Sequence, residues 1–533
     1  MLRRCTRLTA RPSHPHRALF PRHPRNESTK QSPTPWRQDI TPEPSVLVEE
    51  NYAKHTLFTF DFFRRLVKFS LIGVMGIAVT GATAFELTHM WVETVELVPE
   101  RDEECTKWEW DLEAERWTGG TSGGTDPGLG FKGRHAVRSA WMAQNWGVGS
   151  SANLVGSSAF GGKAGSPSGG LNVVEARLEF AQDFLTVAFN IAMRTEASGA
   201  LRPQTLTELL ARHGDVMERM GSKDGLYEAR SEFQRVWARI AAQGPDAARV
   251  ALKLGDLNSR LGNAEDALAW WARSLQLVSG DNRESPIPVI PTAPPVTPSA
   301  QRTLASALVS LSAFYATSGQ LRQAQTVEES ALSLLRSIRP PESSVTSSPP
   351  HALHALYLLH RSALISVHLA EVLYALRTPP DTSISWLSQA AESSERVAFA
   401  LTGLPLTHPD APGSKIPHPP ASESPLLRAF RDSPSMKKPA RSLLRDARRS
   451  AAEAWNLLGV LNEGHPDAGS LEKSLECYER ALGWAGVALD RAGGIGKAGE
   501  GVLDAEWQVL WGNYVRVREA VRNNTGKQSG LPA

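Results

Sequence analysis

The chain of 533 residues contains very little cysteine, and Cys5, Cys105 and Cys477 are its three thiols. They lie far apart, without a CxxC pair or an evenly spaced framework, so the sequence indicates neither a zinc site nor a disulfide scaffold. Cys5 belongs to an N-terminal segment that we expect to be removed. The other two thiols could pair in an oxidising compartment, but we expect free cysteines that are at least partly buried.

The sequence also lacks the common catalytic motifs, since it contains no H-E-x-x-H and no G-x-S-x-G. Residues 156–163 (GSSAFGGK) resemble a phosphate loop only superficially, because Gly162 stands where lysine is required and Ala164 follows Lys163. Three histidines between His351 and His360 have no carboxylate or cysteine that would complete a metal set. We therefore expect no metal site, no cofactor and no enzymatic activity.

Acidic residues are almost absent from the first thirty positions, where Glu27 stands alone against seven arginines and Lys30. A basic segment of this kind, without a long apolar core, is typical of a mitochondrial transit peptide. We assign residues 1–35 to a presequence and residues 36–65 to a lead-in on the matrix side. The alternative is a disordered basic tail that binds acidic lipid or nucleic acid.

One long apolar run stands out, from Phe69 to Phe85, with 17 residues and no charge. As a helix it would span about 25 Å, near the short end of what a bilayer accepts. Arg64, Arg65 and Lys68 precede it and acids dominate after it, so the positive-inside rule leaves the N-terminus in the matrix. The sequence predicts a single-pass anchor over 66–90 in the mitochondrial inner membrane, with everything that follows in the intermembrane space. The alternative is a buried helix of a soluble core.

Small residues recur along this anchor and would allow close packing against the transmembrane helix of a partner. A stop-transfer segment of moderate hydropathy would look the same. The positions are Gly73, Gly76, Ala78, Gly81 and Ala82.

The remainder of the chain is predicted to be all-α, because apolar residues recur at three- and four-residue spacings and no convincing run of alternating strands appears. Its charge is close to neutral or slightly acidic, which argues against nucleic acid as the main partner. We expect a Trp-rich juxtamembrane segment and a Gly/Ser linker (91–170), helical hairpins (171–245), and TPR-like repeats (246–525) with disordered Pro-rich insertions at 281–299, 338–350 and 403–439.

Internal repeats give the strongest indication of fold. The window ALKLGDLNSRLGNAEDALAWWARSL places Gly255, Ala267 and Trp271 at tetratricopeptide (TPR) spacings. A second window matches with Glu328 in place of the usual large apolar residue, and a third matches around Tyr478. A degenerate unit covers Ala363 to Val397, and WQVLWGNYV resembles the first helix of a final, capping unit. Since one hairpin cannot bury its own apolar face, these units predict an α-solenoid.

The first helix of each TPR pair usually lines a concave face that binds extended peptides or helices. We expect this face to be mixed in character and suited to exposed apolar segments, although it could instead pack against the chain's own insertions. The residues expected there are Arg249, Leu252, Asp256 and Ser259, then Ser306, Val309 and Ala313, and finally Asn456, Val460 and Glu463.

With these parts in place, the chain resembles the TPR-containing adaptor subunit of the fungal mitochondrial i-AAA protease. The resemblance rests on the basic presequence, the anchor Phe69–Phe85 behind Arg64, Arg65 and Lys68, and the TPR region. It implies an adaptor that binds misfolded or unfolded proteins, including membrane proteins, and delivers them to the membrane-bound AAA protease beside a companion adaptor. The alternatives are a TPR assembly factor for an inner-membrane respiratory complex and an outer-membrane TPR import receptor.

Overall fold

The computed structural model describes residues 49–147, 153–155, 173–280, 287–338, 348–404, 425–465, 469–489, 495–498 and 507–528. The expected presequence and most of the Gly/Ser linker lie outside these residues. The chain divides into two compact units, Met1–Thr80 and Gly81–Ala533.

The first helix, α1, runs from Glu49 to Trp91 and contains the whole predicted anchor. Its 43 residues would extend for about 65 Å, so the helix is much longer than the anchor alone. The described part of the lead-in is therefore helical, with Phe58, Phe60, Phe62 and Phe63 exposed on it. The side chains along the apolar run are exposed as well: Ile77 is 77% exposed and Met75 is 67% exposed.

Two helices among the described residues are long and apolar enough to cross a membrane. In the window around α1 no residue is buried, whereas 56% of the window in the helix Pro349–Ala375 is buried inside the solenoid. The second helix therefore has the burial expected of a core helix, and α1 is the candidate membrane helix.

After a short π-helical turn at Val92–Glu96, sixteen further α-helices and two short 3-10 helices, Gly120–Ser122 and Pro127–Leu129, follow in the described part of the chain. Strands in that part are limited to two short antiparallel pairs, Asn153–Val155 with Val173–Glu175 and Val487–Leu489 with Ile495–Ala498. The helices are α2 (Glu103–Lys107), α3 (Trp110–Glu113), α4 (Gly130–Trp146), α5 (Ala176–Glu196), α6 (Thr205–Met220), α7 (Lys223–Arg239), α8 (Pro245–Leu261), α9 (Ala264–Ser279), α10 (Pro298–Thr317), α11 (Leu321–Ser337), α12 (Pro349–Ala375), α13 (Pro380–Thr402), α14 (Arg428–Arg431), α15 (Pro434–Glu463), α16 (Ser470–Trp484) and α17 (Trp507–Gln528).

From α4 onward the helices pack as successive pairs, which confirms the predicted all-α, TPR-like solenoid. The pairs are α4 with α5, α6 with α7, α8 with α9, α10 with α11, α12 with α13, and α15 with α16, and α17 packs on the last of them. Each pair also packs on the next, so the apolar faces are buried between neighbours rather than within one hairpin.

Close approach within a pair depends on the small residues that the repeat pattern contains. A Cβ on Gly255 of α8 would lie 2.4 Å from the Trp271 ring of α9, and a Cβ on Gly459 would lie 2.5 Å from the Tyr478 ring. Trp271 also meets Phe314 of the next pair edge to face, with ring centroids 5.4 Å apart. The large aromatic residue thus fills the space over the glycine and reaches the neighbouring hairpin.

The predicted domain limits need three corrections at the insertions. Helices α10 and α12 begin at Pro298 and Pro349, inside two of the expected insertions, because proline is well tolerated at the first helical position. In the third, α14 and the start of α15 are ordered helix, and Phe430 and Met436 are buried in the core. Residues 281–286, 339–347 and 405–424 lie outside the described part of the chain.

The segment expected to be juxtamembrane is also part of the solenoid unit. Helix α4 lies within 91–170 and supplies the first member of the first pair, whose second member, α5, follows the linker. Trp110, Trp117 and Trp141 are buried. The hairpin region therefore begins at Gly130 and not at 171.

Candidate binding face

From the second pair onward, the first helices α6, α8, α10, α12 and α15 form one row, and we call their shared surface the first-helix face. One oxygen of Glu115 pairs with Arg212 of α6 at 2.8 Å and also with Lys438 of α15. Because α6 and α15 lie at opposite ends of this row, the row must curve around Glu115. The two cations outweigh the effect of burial and hold the pKa of Glu115 down at about 2.

Residues 100–116, which we call the strap, run along the N-terminal ends of α8, α10, α12 and α15 and reach Arg212 in the middle of α6. Three of its acids meet helix starts: Glu109 accepts the backbone N–H of Ser299 at 2.8 Å, and Glu100 accepts that of Ser435 at 3.2 Å. Glu104 accepts the hydroxyl proton of Ser348, directly before α12. A carboxylate is favoured at a helix N-terminus because it satisfies free N–H groups and complements the helix dipole.

The central contact of the strap is with Arg302 of α10, which is 1% exposed. Its guanidinium pairs with Glu113 and donates to the backbone oxygens of Trp108 and Glu109 at 3.1 and 3.0 Å. Trp108 stacks on His351 of α12 with ring centroids 4.2 Å apart. These residues fix the strap across two neighbouring first helices.

The residues expected on the face in the first repeat are largely engaged within the chain. Arg249 donates to the backbone oxygen of Leu112 in the strap, and Asp256 accepts from the Trp271 indole at 3.0 Å. Leu252 is half-buried against two core clusters, and Ser259 is also half-buried. The edge of this face at Arg249 is therefore covered by the strap, which is not one of the Pro-rich insertions considered in the alternative.

The later repeats show the same engagement. Ser306 hydrogen bonds to Tyr357 at 2.6 Å, Val309 packs against a core cluster, and Ala313 is half-buried. In the last pair, side chains of helix α17 bind two of the expected residues. Its Asn513 donates to Asn456 at 3.0 Å, and its Arg516 pairs with Glu463 at 2.7 Å, whereas Val460 stays 44% exposed.

The first-helix face also has several charged side chains. Lys253 pairs with Glu218 at 2.7 Å, and Glu371 and Glu453 are exposed on α12 and α15. Although Glu371 reaches solvent, the surrounding protein removes part of the hydration of its carboxylate, and this effect together with the charge of Glu453 raises its pKa above the ordinary value. Burial lowers the pKa of Lys253, but its acidic neighbours outweigh that effect and the pKa is raised. The first-helix face is thus curved, and it has charged groups beside the exposed side chain of Val460.

Glu328, the residue that departs from the repeat pattern, lies between α10, α11 and α12. It is fully buried and accepts the hydroxyl proton of Ser312 at 2.8 Å, while Ser312 also meets His368 Nδ1 at 2.9 Å. Burial raises the pKa of Glu328 to about 7 and lowers that of His368 to about 4. Since Ser312 is itself buried, this chain of polar groups joins three helices rather than meeting a substrate.

The strap and its partners, apart from Arg249, were not among the residues expected at the site, although the tryptophans of this segment were noticed. The sequence did contain two relevant features. Acids recur in this segment (Glu100, Glu104, Glu109), and serines and prolines stand where later helices start. Small residues of the anchor remain available: at Gly73, Gly76 and Gly81 an added Cβ would meet no atom within 4 Å. Comparison with protein-family models and with curated proteins finds no match for this chain.

Proposed function

We propose that the chain is a membrane-anchored adaptor of the mitochondrial inner membrane. It binds unfolded or misfolded proteins in the intermembrane space and delivers them to the i-AAA protease, without catalytic chemistry of its own. Two features of the same chain support the proposal: a long helix whose apolar side chains are exposed, and a curved solenoid with the strap along its first helices. A solenoid on a membrane tether raises the local concentration of whatever it captures.

The supporting contacts lie where the chain leaves the anchor. Glu86 pairs with His135 of α4 at 3.1 Å, and Glu93 binds Arg134 and Arg138 at 3.0 Å each. These contacts hold the end of α1 from Gly81 onward within the solenoid unit, so the helix that contains the anchor continues into the solenoid unit. The small residues Gly73, Gly76, Ala78, Gly81 and Ala82 are the proposed contact with the transmembrane helix of the protease or of the companion adaptor.

Two measurements test the proposal together. Protease protection in intact and outer-membrane-ruptured mitochondria should show a C-terminal tag that becomes accessible only after rupture. Extraction with a mild detergent should recover a membrane-bound AAA protease with the tagged chain. Accessibility in intact mitochondria, or recovery with a respiratory complex and no AAA protease, would overturn it.

Charge-reversal variants separate substrate capture from anchoring. Glu371→Lys with Glu453→Lys alters the first-helix face, while Glu265→Lys with Asp266→Lys makes the same change on exposed positions of α9. The first pair should reduce the amount of unfolded protein that co-purifies, and the second pair should not. Both should retain the protease, because neither touches the anchor.

A further inference from the structure

A cavity between the first two complete hairpins contains a cluster of groups that the adaptor function does not use. His213 of α6 lies beside Glu228 and Glu232 of α7, and one donor atom from each lies within 4.8 Å of the other two. The spacing of four residues places both carboxylates on the same side of α7. Gly214 allows the close approach, because a Cβ there would lie 2.9 Å from the Phe233 ring.

The three residues line a cavity of about 570 Å³, which α5, α6 and α7 surround. Asn190 and Gln182 of α5 also line the cavity and add polar groups to it. The space is thus large enough for an ion and several waters.

A second, independent observation concerns Glu232 itself. Glu232 is only 4% exposed, and its Oε2 atom is buried without a hydrogen-bond partner. His213 Nδ1 and Arg235 Nη1 lie 3.5 and 3.4 Å from the other oxygen, so neither satisfies Oε2. A buried carboxylate oxygen without a partner is costly, and a cation in the cavity would remove that cost.

We propose that His213, Glu228 and Glu232 bind one divalent transition metal, for which Zn²⁺ and Mn²⁺ are the probes. One imidazole and two carboxylates suit ions of this borderline class, and the remaining coordination positions face the cavity, where water can occupy them. Metal bonds of about 2.0–2.2 Å require the donor atoms to draw together. Glu228 is exposed and can rotate inward, and the side chain of Arg235, 56% exposed, can turn out to solvent.

The bound ion would join α6 to α7 within one hairpin, so binding should stabilise the folded chain. The test uses the full chain in detergent after treatment with EDTA. Calorimetric titration with Zn²⁺ should show one equivalent more in the natural chain than in His213→Gln or Glu232→Gln. The Mn²⁺ electron paramagnetic resonance signal of the free ion should fall on addition of the natural chain, and both variants should bind at least about tenfold more weakly.

The control is Glu265→Gln, an exposed glutamate on α9, which should bind like the natural chain. Histidines such as His14 and His16 are present in every variant, so the difference in stoichiometry reports the cavity alone. Zn²⁺ should raise the melting temperature of the natural chain and of the control only. Equal stoichiometry in all chains, or no binding at all, would overturn the proposal. If a buried substitution unfolds the hairpin, exposed Glu228→Gln decides the question by the same criteria.

Discussion

The guanidinium of Arg302 lies over the indole of Trp110, with its central carbon 3.9 Å from the ring centroid. Both side chains are almost fully buried, at 1% and 0% exposure. A buried cation is tolerated only when it is paired, and here the ring face, Glu113 and two strap carbonyls surround it. This one side chain therefore joins the strap to the row of first helices.

Replacement of Arg302 by alanine should release the strap and lower the free energy of unfolding by about 3 kcal/mol or more. Trypsin should then cleave faster at Arg101 and Lys107, which lie in the strap. Arg336→Ala is the matched control, since Arg336 covers Trp386 at 5.2 Å on an exposed surface. The Arg336→Ala substitution should lower the free energy of unfolding by about 1 kcal/mol or less. Denaturant unfolding and limited proteolysis measure both effects, and equal losses for the two variants would contradict the assigned role.

The close approach of helices in the repeats can be tested by adding one methyl group. Gly255→Ala and Gly459→Ala should each destabilise the solenoid by about 1–3 kcal/mol, because the new Cβ would overlap a large ring. Gly512→Ala on α17 is the control: no atom lies within 4 Å of its added Cβ, and alanine favours a helix over glycine. It should leave stability unchanged or raise it slightly. A harmless Gly255→Ala would show that Trp271 can move aside.

The repeat fold could be predicted from the sequence because its determinants are local. Gly255 and Trp271 are 16 positions apart, and the pattern that pairs them depends only on the geometry of one hairpin. The free state of Cys105 and Cys477 was also expected, and both are free and buried. Burial raises their pKa values to about 11 and 12.

The strap could not be predicted because its contacts join distant parts of the chain. Glu100, for example, binds Ser433 and Ser435, and no short-range pattern records that pairing. The acids at its start, Glu100 to Glu104, were interpreted as the outer flank of the anchor, which their charge fits equally well. Prolines at 298, 349 and 434 were taken as signs of insertions, although each opens a helix. Composition alone does not distinguish these two uses of proline.

The late repeats contain a second buried ion pair, which makes a further prediction. Arg480 binds both oxygens of Glu395 at 2.8 Å, and Trp455 and Trp484 donate to the same carboxylate. Glu395→Ala should lower the free energy of unfolding by about 3–5 kcal/mol, since it leaves Arg480 buried without its main partner. The exposed pair of Arg516 with Glu463 serves as the control, because Arg516→Ala should cost about 1 kcal/mol or less. Thermal unfolding of the full chain in detergent compares the two, and similar losses would contradict the prediction.

Glu328 predicts a pH dependence that one substitution should remove. Its pKa is about 7 in the folded chain and about 4.5 when the chain is unfolded, so the folded state holds the proton more tightly. The stability that this group contributes is complete below about pH 4.5 and is lost as the pH rises to 7. Ser312, His368, Glu371 and Glu329 face it and stay in place in the variant.

Glu328→Gln keeps the size of the side chain and removes its charge. Near pH 4.5 the variant and the natural chain should unfold at similar free energies, whereas above pH 7 the variant should be more stable by about 1–3 kcal/mol. Burial lowers the pKa of His368 to about 4, so this group changes stability with pH in the opposite direction. Since His368 is present in both chains, its effect cancels in the difference between their free energies of unfolding. Glu329→Gln makes the same charge change at an exposed neighbour and should not reproduce the effect. A difference between Glu328→Gln and the natural chain that is constant from pH 4.5 to 8 would show that folding does not shift the pKa of Glu328 and would contradict the prediction.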